Sequence, residues 1–185
     1  MEMKKNVFAL ALCAVLSLSL LSACGGKESA TIKVGASPTP HAQILEVAKE
    51  ILAKDNITLE IVPYDDYVLP NTNVEDGQLD ANYFQHITYM NNFNTNDGTH
   101  LVSVADLHYE PFGIYAGKSA SLDALPDGAQ IAIPDDPTNG GRALLLLQEQ
   151  GLIKLKDGVG LEPTVEDIAE NPHDYKIKQL TANLL

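Results

Sequence analysis

The sequence is short of cysteine and of basic residues, and both shortages exclude classes of protein. It has two cysteines among 185 residues, and 12 Lys and Arg against 25 Asp and Glu, for a formal net charge of −13. A chain this acidic is repelled by a phosphate backbone, so we expect no nucleic-acid binding. Low-complexity tracts and internal repeats are also missing, which excludes a disordered or a repeat protein.

The short motifs of several enzyme classes are absent as well. There is no Gly-x-Ser-x-Gly, no P-loop, and no Gly-x-Gly-x-x-Gly that opens a helix. The five histidines are far apart along the chain, and His108 and Glu110 form the only tight pair. A protein metal site needs at least three such ligands. We therefore predict no catalysis, no cofactor and no metal site.

The one long apolar run is short for a membrane-spanning helix. Residues 7–21 are almost entirely apolar and follow Lys4 and Lys5, and a run of about 15 residues is typical of a secretory signal rather than of a membrane span. The run ends in Leu-Ser-Ala-Cys at Cys24, which resembles the bacterial lipobox. We therefore predict a lipoprotein signal peptide over residues 1–23.

The same motif predicts a lipid anchor. In a lipobox the cysteine is acylated, so Cys24 would attach the mature chain to the bilayer, facing outside the cytoplasm, through a short polar tether over residues 24–30. The other cysteine, Cys13, lies within the signal. The mature chain would then have no thiol for a disulfide, a metal or a nucleophile.

Hydrophobic periodicity predicts an α/β protein, because strand patterns alternate with helix patterns. The first strand is followed by a helix whose apolar residues share one face, and a second strand follows, so we expect a parallel β-α-β unit. The apolar residues of that helix are Ile44, Val47, Ala48, Ile51 and Leu52. Strands are predicted over residues 31–37, 58–62, 79–84, 101–104, 108–116, 130–134 and 177–180. Further helices are predicted over residues 67–74, 87–94, 121–125 and 140–150, and from Thr164.

A dense group of aromatic and polar residues follows the strand at 79–84. Phe84, His86 and Tyr89 come just after the strand end, where α/β sheets place their ligand crevices. Taken alone, the same residues also fit a core of aromatic rings with one hydrogen-bonded histidine.

A second candidate group lies where the strand at 130–134 gives way to a helix. The free N–H groups of a helix start attract an anion, and Arg142 in the first turn can bind a carboxylate through two hydrogen bonds. Asn139 can donate or cap. Asp135 and Asp136 beside it argue against phosphate and for a zwitterion. The alternative is a capped helix with a surface arginine.

Four segments together carry a resemblance to a known family. They are residues 66–71 (DYVLPN), 80–86 (DANYFQH), 133–142 (IPDDPTNGGR) and 144–160. With the lipobox, they resemble the NlpA-type methionine-binding lipoproteins, the solute receptors of methionine ABC importers. The resemblance runs from the lipobox nearly to residue 185.

The resemblance implies a two-lobed fold of the periplasmic-binding-protein type with the ligand between the lobes. The first lobe would span residues 31–112 and the second residues 113–185. Because the chain stops soon after a strand, we expect the second lobe and the C-terminal return to the first to be incomplete. By resemblance, the pocket for the ligand side chain is formed by Tyr67, Phe84, His86 and Tyr89. By resemblance also, Arg142 binds the ligand carboxylate, and Asn139 lies close to it.

The function implied is capture of L-methionine or a close analogue and delivery to an ABC permease and its ATPase. Two alternatives stay open. One is a receptor for another amino acid or a methionine peptide. The other is a surface lipoprotein with an adhesive or structural role.

Overall fold

The computed structural model describes residues 29–185. The signal peptide predicted for residues 1–23, the acylated Cys24 and most of the tether lie outside the described residues. Three parallel strands form an N-terminal sheet in the order β2-β1-β3. Their bounds are β1 (Ala30–Ala36), β2 (Ile57–Pro63) and β3 (Ala81–Tyr83). The parallel pairing of β1 with β2 confirms the predicted β-α-β unit.

Three helices accompany this sheet. An irregular turn at Pro38–Ala42 leads into α1 (Gln43–Leu52), and α2 (Leu69–Glu75) and α3 (Ile87–Asp97) follow. A short 3-10 turn at Ala53–Asp55 ends at Asn56, which adopts a left-handed conformation with φ 59°. Asparagine tolerates that conformation better than most residues, so Asn56 can end the helical stretch without strain.

The apolar face of α1 is less covered than its pattern indicates. Ile44, Val47 and Ile51 are 43%, 62% and 56% exposed, and no residue of α1 is buried. An apolar stripe of this kind normally faces a core. The helix was predicted correctly, and much of its apolar face is exposed in the part of the chain that the structure describes.

The two strands predicted at 101–104 and 108–116 are not formed. Residues 98–116 have no regular secondary structure, and Val102 and Val104 are largely exposed. Alternating apolar residues favour an extended backbone, but a strand also needs a partner whose N–H and C=O groups face it. This segment has none among the described residues. We call residues 98–121 the crossover segment, because they connect the N-terminal sheet to the C-terminal half.

The C-terminal half contains two small sheets. Strands β4 (Gln130–Pro134) and β7 (Lys176–Leu180) pair in parallel, and β5 (Lys154–Leu155) and β6 (Ile168–Glu170) pair antiparallel. Helix α4 (Pro137–Glu149) follows β4. Single 3-10 turns occur at Leu122–Ala124, Val165–Asp167 and Ala182–Leu184. The α/β prediction is therefore confirmed, and the strands at 130–134 and 177–180 are present.

Two predicted helices are shorter than expected. Ser121 precedes a 3-10 turn but makes no side-chain cap hydrogen bond. Thr164 begins a single 3-10 turn, although a capping box is present: its backbone N–H and hydroxyl both donate to Asp167 Oδ2 at 2.9 Å. These hydrogen bonds lower the pKa of the Asp167 carboxyl.

The larger apolar core lies under α4. Ala143, Leu144 and Leu147 are buried against side chains from β4, the turn after α4, β5 and the segment before β7, namely Ile133, Leu152, Ile153, Leu155 and Tyr175. Gly141 lets the helix approach a loop, because a Cβ there would lie 2.9 Å from the Leu161 carbonyl oxygen. No helix among the described residues is long and apolar enough to cross a membrane.

Candidate ligand-binding site

An open cavity of about 1290 Å³ lies beside the carboxyl ends of β3 and β4. The parallel arrangement places both strand ends on the side where α/β sheets hold ligands. The structure brings all six site residues that the sequence predicted to the wall of this one cavity, namely Tyr67, Phe84, His86, Tyr89, Asn139 and Arg142.

Three aromatic rings form one end of the cavity. The ring centroid of Tyr67 lies 5.6 Å from that of Phe84 and 6.0 Å from that of Tyr89, and Phe84 and Tyr89 are 6.1 Å apart. The Tyr89 hydroxyl donates to the Tyr67 carbonyl oxygen at 3.3 Å. Burial, reinforced by the Asp136 carboxylate, raises the pKa of both phenols, so both stay protonated at neutral pH.

His86 joins the aromatic end to α4. It precedes α3, and its Nδ1 accepts the backbone N–H of Tyr89 at 3.1 Å. In the neutral ring the proton must then be on Nε2, which lies 3.1 Å from Asn139 Oδ1. The histidine therefore caps one helix and donates to the first turn of another. It is a hydrogen-bonded histidine, as the simpler interpretation of the sequence held, and it also lines the cavity.

The side chain of Asp136 caps the N-terminus of α4. Asp136 Oδ1 accepts the backbone N–H of Asn139 and the hydroxyl of Thr138, both at 2.9 Å. Asn139 Nδ2 donates to both Asp136 oxygens at 3.1–3.2 Å. The expectation that free N–H groups here attract an anion is therefore wrong in part, because Asp136 already occupies the helix start. Attraction of an anion here would therefore depend on a positive side chain rather than on the helix end.

Arg142 provides that positive charge. Its guanidinium donates to Asn139 Oδ1 at 3.0 Å and to the Glu110 carbonyl oxygen at 3.2 Å, and it lies 4.8 Å from the ring centroid of Phe112. It forms no ion pair with an acidic side chain of residues 29–185. Because a guanidinium has five N–H donors, several remain for a ligand.

A network of three amides, one fully buried and two partly buried, holds the chain before His86. Asn71 and Gln85 exchange two side-chain hydrogen bonds, at 2.7 and 2.9 Å, and Asn82 Nδ2 donates to Asn71 Oδ1 at 2.8 Å. Asn71 is fully buried. A buried amide network is rigid only when all its members are satisfied. We infer that it fixes the backbone that presents Phe84 and His86. Sequence reasoning did not assign these three amides a role.

Sequence reasoning also missed two residues of the crossover segment. Glu110 and Phe112 hold Arg142, one through its carbonyl and the other through its ring. The available signal was Pro111, since a proline within a strand pattern favours an edge strand or an interruption of the strand. The structure forms no strand there.

The rest of the cavity is open and largely apolar. It is lined by helix α4, the crossover segment and β4. Its side chains come from residues such as Ile131, Ile133, Leu146 and Leu147. The cavity therefore has two parts, an aromatic and hydrogen-bonded end around Arg142 and a wide apolar part beside β4.

Comparison with known proteins assigns the chain to a family. The model of a lipoprotein family described as NlpA lipoprotein matches residues 32–185. The D-methionine-binding lipoprotein MetQ of Escherichia coli K12 is 46% identical over 98% of this chain and 68% of its own length. The chain belongs to the NlpA lipoprotein family. The membrane lipoprotein TpN32 of Treponema pallidum, with 38% identity over 98% of the chain and 68% of its own length, is a more distant relative.

Solved structures of similar proteins confirm the two-lobed periplasmic-binding-protein type of fold. A lipoprotein from Ruminococcus gnavus has a TM-score of 0.80 and 58% identity, over 82% of this chain and 63% of its own. A nutrient-binding protein from Burkholderia cenocepacia bound to methionine has a TM-score of 0.78 and 42% identity, over 82% and 64%. The NlpA-family chain described here thus spans somewhat less than two thirds of these structures.

Proposed function

We propose that this NlpA-family protein is the solute-binding lipoprotein of an ABC importer and holds methionine at the aromatic end of the cavity. The observation that carries the proposal is Arg142, a cation with spare donors, no acidic partner among residues 29–185, and a position on the wall of the same cavity as Tyr67, Phe84 and Tyr89. The relatives named for methionine and the methionine-bound neighbour support it.

The chemistry of the site fits each end of the ligand. Arg142 binds the carboxylate, and a charged hydrogen bond of this kind contributes roughly 1.5–3 kcal/mol. The thioether lies among the rings of Tyr67, Phe84 and Tyr89, where sulfur–aromatic contacts contribute about 0.3–1.5 kcal/mol. Asn139 and His86 fix the position of the guanidinium. The site binds and releases its ligand without catalysis.

A methionine peptide is the second candidate ligand. The cavity of about 1290 Å³ is larger than the roughly 300–1,000 Å³ of most small-molecule sites. Its apolar part leaves room for a further residue next to the aromatic end.

The remaining parts of the proposal concern location and partners. Acylation of Cys24 anchors the protein to the membrane, facing outside the cytoplasm, and a permease with its ATPase receives the ligand. The lobe boundary near residue 112 belongs to the same proposal, with the crossover segment connecting the lobes.

Calorimetry with L-methionine, D-methionine and a methionine dipeptide tests this proposal. We expect L-methionine to bind, and Arg142→Ala to lose about 2 kcal/mol or more, which is about thirtyfold. The control is Lys118→Ala, which removes a cation from the open part of the same cavity and should leave the affinity unchanged. Equal affinity with and without Arg142 would show that the clamp is misassigned. Tighter binding of D-methionine or the dipeptide would mean that the preferred ligand is not L-methionine, while the assignment of the site would stand.

A further inference from the structure

We propose that His41, His108 and Glu110 form a binding site for a divalent transition-metal ion of the zinc class, next to the Glu110 carbonyl that accepts a hydrogen bond from Arg142. Its side chains are not the residues assigned to methionine, although Glu110 also lines the cavity, and the proposal does not rest on methionine binding. The sequence predicted no metal site because the histidines are far apart along the chain, but the fold brings His41 to the pair formed by His108 and Glu110.

The fold explains how the three residues meet. In the N-terminal sheet Ala36 of β1 pairs with Tyr83 of β3, so both strands end at the same edge. His41 lies in the irregular turn just after β1. The crossover segment passes over this edge and brings His108 and Glu110 against the ends of both strands.

The separations of the donor atoms suit one small ion. His108 Nε2 lies 2.9 Å and His41 Nε2 lies 3.7 Å from Glu110 Oε1, and all three ligand atoms lie within 4.8 Å of one another. Tetrahedral zinc, with bonds of about 2.0–2.2 Å, places its ligand atoms roughly 3.3–3.6 Å apart. Small side-chain movements would therefore bring the three ligand atoms to coordination distance from one ion. Two imidazoles and one carboxylate favour zinc-like ions over magnesium or calcium.

His41 supplies an independent observation. Its side chain is only 7% exposed, and its Nδ1 has no hydrogen-bond partner among the described residues. Its Nε2 is too far from Glu110 Oε1 for a hydrogen bond, yet it faces that carboxylate. A metal ion between them joins Nε2 to the Glu110 carboxylate across a gap that no hydrogen bond spans, while Nδ1 keeps no partner among the described residues.

The surroundings of His108 resemble those of a metal ligand. The Tyr83 hydroxyl lies 2.6 Å from His108 Nδ1, and a hydrogen bond at the second ring nitrogen orients a ligating histidine and fixes its tautomer. Glu110 is half exposed, which leaves a fourth coordination position open to water.

Another histidine–carboxylate pair in the same chain offers a matched control. His100 Nδ1 lies 2.8 Å from Glu75 Oε1, but no third ligand joins them among the described residues. If any close histidine–carboxylate pair were enough to bind zinc, both places would bind it equally.

The test is calorimetric titration of the full-length protein with Zn²⁺, together with the visible absorption of bound Co²⁺. We expect one ion per chain and tetrahedral Co²⁺ bands. His108→Gln and Glu110→Gln, which leave the backbone carbonyl that holds Arg142, should each weaken Zn²⁺ binding by at least tenfold. Tyr83→Phe should weaken it by roughly 10-fold, as loss of an outer partner does, and His100→Gln should leave it unchanged.

The proposal is overturned if the wild-type protein binds Zn²⁺ no more tightly than the variant that carries both His108→Gln and Glu110→Gln. It is also overturned if Co²⁺ shows no tetrahedral bands, or if His100→Gln weakens Zn²⁺ binding as much as His108→Gln. Each variant is compared after its circular dichroism shows a wild-type fold. None of these readouts depends on methionine, so their failure is distinguishable from failure of the proposed function.

Discussion

Helices α1 and α4 both carry several large apolar side chains but have different surroundings in the fold. In α4, Leu144 and Leu147 are 1% and 2% exposed, and β4, β5 and the chain before β7 cover them. In α1, Val47 and Ile51 of the apolar stripe are more than half exposed. An apolar stripe thus indicates a helix with one face to cover, and only the tertiary structure shows whether anything covers it.

The difference should appear in the stability of the two regions. Burying a large apolar side chain contributes roughly 1.5–3 kcal/mol, so α4 should dominate the stabilisation that these two helices provide. On the same grounds, substitutions on the apolar face of α1 should change little in the isolated protein.

The largest effect is expected for Leu144→Ala. Leu144 lies at the centre of the core under α4, and truncating a buried leucine leaves a cavity that costs about 2–5 kcal/mol. Denaturant unfolding should show this loss. Leu145→Ala removes the same atoms one position along the helix, where the side chain is only partly buried, and should cost less. Equal losses would mean that the core is not centred on Leu144.

A smaller effect is expected for Gly141→Ala, at the close approach of α4 to its loop. The added Cβ would lie 2.9 Å from both the Leu161 carbonyl oxygen and the Glu162 Cα. Backbone atoms cannot move aside as a flexible side chain can, so we expect a loss of about 1–3 kcal/mol. Gly117→Ala, where nothing lies within 4 Å, is the control. A more stable Gly141→Ala protein would show that the loop moves away and that α4 gains helix propensity instead.

The comparison also shows how much of the fold the sequence determines. Elements with a clear period, such as β1, β2, α1 and α4, were predicted within a few residues, because the period follows from local geometry. The crossover segment was mistaken for two strands, since alternation reveals an extended backbone but not its partner. The pair β5–β6 was missed, because strands of two or three residues carry no period.

The candidate site divides in the same way. Tyr67, Phe84, His86, Tyr89, Asn139 and Arg142 were assigned from short motifs, and the structure places them around one cavity; their binding role stays a prediction. The contacts of Arg142 with Glu110 and Phe112, and the meeting of His41 with His108, depend on where the crossover segment runs. A single sequence holds no periodic signal for such a path.

The smallest effect, and the sharpest test of the comparison, is expected for Val47→Thr. Threonine has nearly the shape of valine, so the change replaces a methyl by a hydroxyl without leaving a cavity. Because Val47 is 62% exposed, water solvates the hydroxyl, and the free energy of unfolding should stay within about 0.5 kcal/mol of wild type. Val34→Thr makes the same change in β1 at a side chain only 7% exposed, where an unpaired hydroxyl costs about 1–3 kcal/mol. Denaturant unfolding of both variants at several protein concentrations measures the difference. If Val47→Thr costs as much as Val34→Thr, the apolar face of α1 is covered in solution. A loss that grows with protein concentration would then identify a second copy of the chain as the cover, because association stabilises a folded chain by mass action.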